Sequence, residues 1–450
     1  MMQLPKLSEI FIFSCVIGVG ISYGDLYLFH LILGSLILFS FRLLRVNKYK
    51  INLNFFTKNY LYFLFIFSLW YFLSIFWSIN KLYTIQYLFY IFCGVAIVFT
   101  VLVNFSSKEK LLRALKIAGF TFSLEIILSL LESLTAFRLP ISPFSNVVTF
   151  FGREPSLQPT LDSFAIPSLI QPPTGFQWNP NDLAITMIML TPFFLFSKNI
   201  FVKWFAIISI SIIIIMTSSR TVLFSMGILF LIYFILYKKQ LTTLILISLL
   251  LSVFFTQIDR LKESNNPQVS DIANTFSAIQ DFVNDDIILG QSVSIRRELA
   301  FNGIEALKET YGLGVGAGGS IAVQEKIGGV DGRITSMHNF WLELIVDAGI
   351  ILSFFFFLWY ISLTWNLYKL GIQSNNEEFR YLGRSFSLCM IIFVPAAISA
   401  SSVIYFLPMW LMLGFAIAII EIHSKVKSEE SPSSSLQYFP IKNYEHVYTL

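Results

Sequence analysis

Apolar residues fall in long runs separated by short polar breaks, and this pattern decides the class before any motif is weighed. Runs able to cross a hydrocarbon core of ~30 Å recur about twelve times, near 9–23, 26–44, 60–78, 83–104, 114–135, 181–197, 202–217, 221–237, 241–257, 339–365, 385–402 and 404–423. The seventh to ninth are short and closely spaced. The pattern predicts an all-α polytopic membrane protein of about 12 transmembrane helices. Its organisation is N-terminal membrane helices (1–135), a long loop (136–180), central helices (181–257), a second long loop (258–338), C-terminal helices (339–423) and a tail (424–450). No internal repeat of the transporter kind is visible.

The placement of Lys and Arg orients these elements. With a cytoplasmic N-terminus, Arg42, Arg45, Lys48, Lys50 and Lys58 fall inside, as do Lys108, Lys110, Arg113 and Lys116. So do Lys198, Lys203, Lys238, Lys239, Lys369, Arg380 and Arg384, while the short outward loops offer little beyond Lys81. Both termini are therefore expected in the cytoplasm, and both long loops outside. The first is rich in Pro, Ser and Phe, and the apolar content of the two argues for ordered caps on the membrane.

Composition agrees: 56% of the 450 residues are hydrophobic, 48 are Phe, and 13% are charged. A soluble chain of this size could not hide so much apolar surface, so the lipid bilayer is part of its solvent. The net charge of +4 says little about partners, and nothing points to nucleic acid. Cys15, Cys93 and Cys389 lie inside apolar runs without metal-ligand spacing and read as small core residues. The first run lacks a small-residue cleavage pattern and reads as a retained span.

Candidate chemistry concentrates on the outward side. Arg220, in MTSSRTVLFS, stands where two apolar runs meet. Span-end arginines commonly snorkel, but those concentrate on the inner face, and hydroxyls flank this one. Arg296 and Arg297 open an amphipathic helix, with Ser294 as N-cap and Gly312 after the last turn. Such a start offers guanidinium forks and backbone N–H groups to phosphate oxygens; a solvated surface helix is the plainer reading. GLGVGAGGS (312–320) lacks the lysine and Ser/Thr of a nucleotide loop and reads as a tight turn allowing close backbone approach.

His338 is the sole outward histidine of four. It precedes a span, beside Asn339, with Glu343 and Asp347 further in on one helical face. A lone histidine is more often structural, yet ionisable groups within a span mark function by default. Asn179, Asn181 and Asp182 open another span as caps, and Glu125 should face the bundle interior. No HExxH, CxxC or DxD is present, so neither a metal nor a cofactor is expected.

Three stretches, PPTGFQWNPNDLA (172–184), TSSRTVL (217–223) and the segment 296–350 from the arginines through GVGAG to HNFWLELIVDAGI, together resemble the O-antigen ligase/polymerase superfamily. Within it the resemblance is greatest to polymerases of Gram-positive cell-wall polysaccharides such as teichuronic acid. The resemblance implies a metal-independent glycosyltransferase bundle of the GT-C kind, with a donor glycan linked through pyrophosphate to undecaprenol. It implies two arginines on the pyrophosphate and a histidine serving the acceptor, with flippase and chain-length regulator as partners. Arg220 matches the first arginine and His338 the histidine, while the second falls on Arg296 or Arg297; Ala300 stands where the family often has an aromatic residue. Asn339 and Glu343 would support the histidine. The expected activity is polymerisation of lipid-linked repeats at the outer face of the cytoplasmic membrane. A ligase of the same superfamily is the alternative, and a flippase, which would show paired broken helices or repeats, the more distant one.

Overall fold

A computed structural model describes residues 4–44, 53–155, 171–238, 291–330, 334–400 and 404–430. The ninth expected span (241–257), residues 258–290 of the second long loop and the tail beyond 430 lie outside the described residues. Among those described there are thirteen α-helices. They are α1 (Leu4–Ile17), α2 (Leu28–Leu44), α3 (Phe55–Leu73), α4 (Lys81–Asn104), α5 (Lys108–Leu134), α6 (Pro180–Leu195), α7 (Ile200–Met216), α8 (Arg220–Tyr233), α9 (Gln291–Glu309), α10 (Gly319–Ile327), α11 (Phe340–Gln373), α12 (Glu377–Ala396) and α13 (Leu407–Glu430). A two-stranded hairpin, β1 (Ser22–Tyr23) and β2 (Leu26–Tyr27), links α1 to α2. Seven helices are long and apolar enough to span a membrane, and three apolar helices are shorter. The chain is an all-α, multi-pass membrane protein.

Asparagine marks the helix starts. Asn54, Asn80, Asn179, Asn199, Asn339 and Asn376 each accept a first-turn backbone N–H, satisfying donors that have no partner within the helix. α13 is the central helix: 89% of its most apolar window is buried, against 28% for α3. It comes close to α4 because Gly94 leaves room for the Trp410 ring, which a Cβ there would strike.

The two ends of the bundle are held differently. At one end lie the ion pairs Lys108–Glu378 and Lys198–Glu377, each at 2.6 Å, and Arg113–Glu9 at 3.2 Å. There too the α13 carboxylate of Glu421 accepts from the Asn54 backbone at the start of α3 (3.1 and 3.2 Å). At the other end, loops fold back on the helices. Buried Glu132, at the end of α5, accepts from the backbone N–H groups of Leu139, Thr174 and Gly175 (3.1, 2.8 and 2.8 Å). Gln177 donates to buried Glu125 at 2.9 Å, which accounts for that carboxylate inside α5.

Two sequence expectations are corrected here. The run 339–365 is not one continuous helix, because Gly349 (φ 83, ψ 168) breaks α11. Residues 340–348 form a short separate piece and 350–373 the long one, so Glu343 and Asp347 belong to the piece before the break. α9 begins at Gln291, so Ser294 lies within the helix rather than at its cap, and the arginines lie beyond the first turn. The helix-start N–H groups expected beside them are therefore not there.

Candidate active site around Arg220, Arg296 and His338

The broken helix organises the site end. Gly349 exposes backbone groups that a continuous helix would satisfy internally, and the glycine-rich loop meets them. Val315 N–H donates to Val346 O (2.9 Å), Gly316 N–H to Asp347 O (3.1 Å), and Ile350 N–H to Gly312 O (2.9 Å). The Asp347 carboxylate accepts from Gly318 and Ser320 N–H at 3.0 and 2.8 Å, and Ser74, which caps the C-terminus of α3, accepts from Ala317 N–H at 3.0 Å. Trp70 and Trp77 donate to Ala348 O and Gly314 O. The loop is thus a tight turn fitted against helix backbone, as its composition suggests. A Cβ on Gly314 would sit 2.5 Å from Asp347 O and Gly349 N. Its amide groups are engaged inside the protein, leaving any phosphate chemistry to side chains.

That platform carries α9. Gly303 lets the helix lie against Met337 and Val346, where a Cβ would approach to 2.6 and 3.1 Å. Buried Gln324 of α10 donates to Leu299 O at 3.0 Å and accepts from Asn302 at 3.0 Å, fixing the rotation of α9. Through these contacts the arginine-bearing turn is held beside the loop containing His338.

Arg296 is half-buried, whereas Arg297 is exposed. Burial, and then the charge of Arg220, push the Arg296 guanidinium below its usual range. Burial, and then Arg296, push His338 down from 6.5 to about 4. Arg296 therefore lies within electrostatic reach of both Arg220 and His338, and the structure brings together three groups from separate segments. Of the adjacent pair, it is Arg296 that faces this cluster.

Local geometry reinforces the positive field. Arg220 is the first residue of α8, exposed, and preceded by Ser219, whose buried hydroxyl has no partner among the described residues. His338 stands just before α11, where the helix N-terminus also disfavours an added proton. Ser218 (φ 55) and His338 (φ 48) are two of the three described non-glycine residues at positive φ. Such conformations are sparsely populated outside glycine and cluster at functional sites.

The expected supporting residues have defined places. Asn339 caps α11, accepting from Trp341 and Leu342 N–H at 3.1 and 3.3 Å. Buried Glu343 accepts from the Tyr87 hydroxyl of α4 at 3.2 Å. Sequence reasoning missed Gln324 and the helix break; an Asp and a Gly together in the apolar run VDAGI were the available signal for the latter. Among the described residues no three of His, Cys, Asp or Glu gather into a metal-ligating group.

Comparison with known proteins bears on this same stretch. Residues 205–357, which contain Arg220, Arg296, Arg297 and His338, match the family described as O-Antigen ligase. The Teichuronic acid biosynthesis protein TuaE of Bacillus subtilis (strain 168) is 24% identical over 138 residues, 30% of this chain and 28% of that protein's length. The segment that carries the candidate site is thus similar to the O-antigen ligase family, and the chain spans under a third of the length of the curated relative it matches.

Proposed function

We propose that the protein is a glycosyltransferase that polymerises a cell-surface polysaccharide, joining lipid-linked repeats through a donor carried on undecaprenyl pyrophosphate. The observation that carries this reading is the placement of Arg296 beside both Arg220 and His338. The two guanidinium groups hold the donor pyrophosphate, each able to present paired N–H donors to its oxygens. His338 takes the proton from the acceptor sugar hydroxyl as its oxygen attacks the anomeric carbon. The bond from that carbon to the phosphate oxygen breaks, and its electron pair leaves with the pyrophosphate. Fixed cations meet the charge growing on the leaving group and need not reorganise to do so.

His338 is a weak base because burial, and then Arg296, oppose its protonation. A bound pyrophosphate offsets that charge, so the imidazole gains basicity when the donor is present. Coupling of donor binding to base strength follows from the same cluster. The bundle is read as twelve GT-C-like spans, the ninth at 241–257, with the site on the outer face of the cytoplasmic membrane and no metal in the reaction. The family description also suits a ligase that passes the glycan to a lipid or protein acceptor.

The test uses purified protein in lipid nanodiscs with lipid-linked repeats. Longer chains that persist in EDTA, and their loss in His338→Ala and Arg220→Ala protein that still assembles in the membrane, are the expected results. Wild-type chain length in His338→Ala rules out the base; relocation of lipid-linked repeats without new glycosidic bonds rules out the transferase.

A further inference from the structure

A second group of chemistry-bearing side chains lies at the same end of the bundle and has no part in the mechanism above. Arg153, from the first long loop, lies over the Trp178 ring at 4.6 Å and the Tyr27 ring at 5.7 Å. One of its terminal nitrogens donates to Gly24 O at 2.7 Å, while its buried Nε has no acceptor among the described residues. Asp182, in the first turn of α6, is 9% exposed, and among the described residues its carboxylate has no hydrogen-bond partner. No ion pair joins it to Arg153 among those residues. Tyr405 lies within electrostatic reach of Asp182, Glu343, Tyr27 and Tyr90, packs with its ring tilted 5.1 Å from that of Tyr90, and yet keeps 36% of its surface accessible. Tyr405 thus keeps an exposed surface beside these groups.

We infer that Trp178, Arg153, Tyr27, Asp182 and Tyr405 line a subsite for a pyranose ring of the acceptor glycan. As an acceptor subsite it rests on the function proposed above. The chemistry selects the ligand class. A buried carboxylate without donors is costly, and sugar hydroxyls supply donors that it can accept in pairs. Half-buried aromatic faces suit the C–H face of a pyranose, and aromatic walls with a few placed polar groups are the usual make-up of small-ligand sites. A polyprenyl tail would leave Asp182 unsatisfied, and a phosphate would be repelled by it. The group is also near the transfer site: Tyr405 lies within electrostatic reach of Glu343, in the short helix piece that His338 precedes.

The experiment measures two affinities on the full-length protein in nanodiscs. One probe is the free repeat-unit oligosaccharide, released by mild acid from the lipid-linked intermediate of expressing cells; the other is undecaprenyl pyrophosphate. Asp182→Asn, nearly isosteric, and Trp178→Ala are expected to weaken oligosaccharide binding about tenfold or more. Trp178→Phe keeps most of it, and none of the three changes affinity for undecaprenyl pyrophosphate. Wild-type oligosaccharide affinity in both Asp182→Asn and Trp178→Ala overturns the subsite, as does no binding to the wild-type protein. Arg220→Ala and Arg296→Ala give the opposite pattern if the pyrophosphate reading holds. Should they keep undecaprenyl pyrophosphate while Asp182→Asn and Trp178→Ala lose the oligosaccharide, the subsite stands and the pyrophosphate reading fails.

Discussion

Replacing Arg296 with Gln tests the electrostatic core of the site through a neighbour rather than through activity alone. His338 is pushed down from 6.5 to about 4, by burial first and by Arg296 second. A displacement of that size corresponds to about 3 kcal/mol of preference for the neutral imidazole. The sign follows from proton uptake: between pH 6.5 and about 4 the unfolded chain protonates this histidine and the folded one does not. Stability from this group is therefore complete above pH 6.5 and is lost progressively down to about 4, below which it is flat. Arg296→Gln removes the second cause and leaves burial, so His338 should titrate part of the way back toward 6.5. Nitrogen-15 histidine spectra of nanodisc samples measure this directly, with His338→Gln identifying the resonance. The acid loss of unfolding temperature should be smaller in His338→Gln than in wild type. Undecaprenyl pyrophosphate added to wild type should raise the titration point, since it neutralises the same cation. A histidine titrating near 6.5 in the wild type, or one indifferent to Arg296→Gln, would falsify the reasoning.

Two further substitutions probe the platform. Gly349→Ala places a Cβ against Leu313 O in a backbone region almost reserved for glycine. It should cost about 3 kcal/mol or more, seen as reduced accumulation and a lowered unfolding temperature; unfolding at the wild-type temperature would show that the break does not depend on glycine. Gln324→Ala removes the bonds to Leu299 and Asn302, with an expected cost of about 1–3 kcal/mol. Because α9 is then free to rotate, the KM for lipid-linked donor should rise more than kcat falls; an unchanged KM would separate Gln324 from arginine placement.

Much of this could be read along the chain, because hydropathy and helix caps are local signals. The spans lie close to their expected positions where they are described, and the three separated groups of the candidate site were found from charge, sidedness and resemblance. What escaped was non-local. The break in α11 depends on carbonyl and amide partners supplied by residues 312–316, far from Gly349 in kind of structure though near in space. A lone glycine in an apolar run gives no sign of that. A broken helix is also a feature expected of transporters, but here one break is described and its freed groups are met by a loop of the same end. Choosing between Arg296 and Arg297 required the rotation of α9, which Gln324 and Gly303 set through contacts with α10 and Met337. Asp182 reads along the chain as an ordinary cap, and only the fold sets Tyr27 and Tyr405 near it and Arg153 over the Trp178 ring.

The crowding of Arg220 against Arg296 has a kinetic side. Two positive charges held within electrostatic reach repel each other, and a dianion bound between them relieves the tension. Under the proposed chemistry the spent carrier lipid has the same diphosphate as the loaded one, so the grip that favours capture also resists departure. Turnover would then be paced by release of the used carrier, and inorganic pyrophosphate in the medium would slow the enzyme by occupying the same seat.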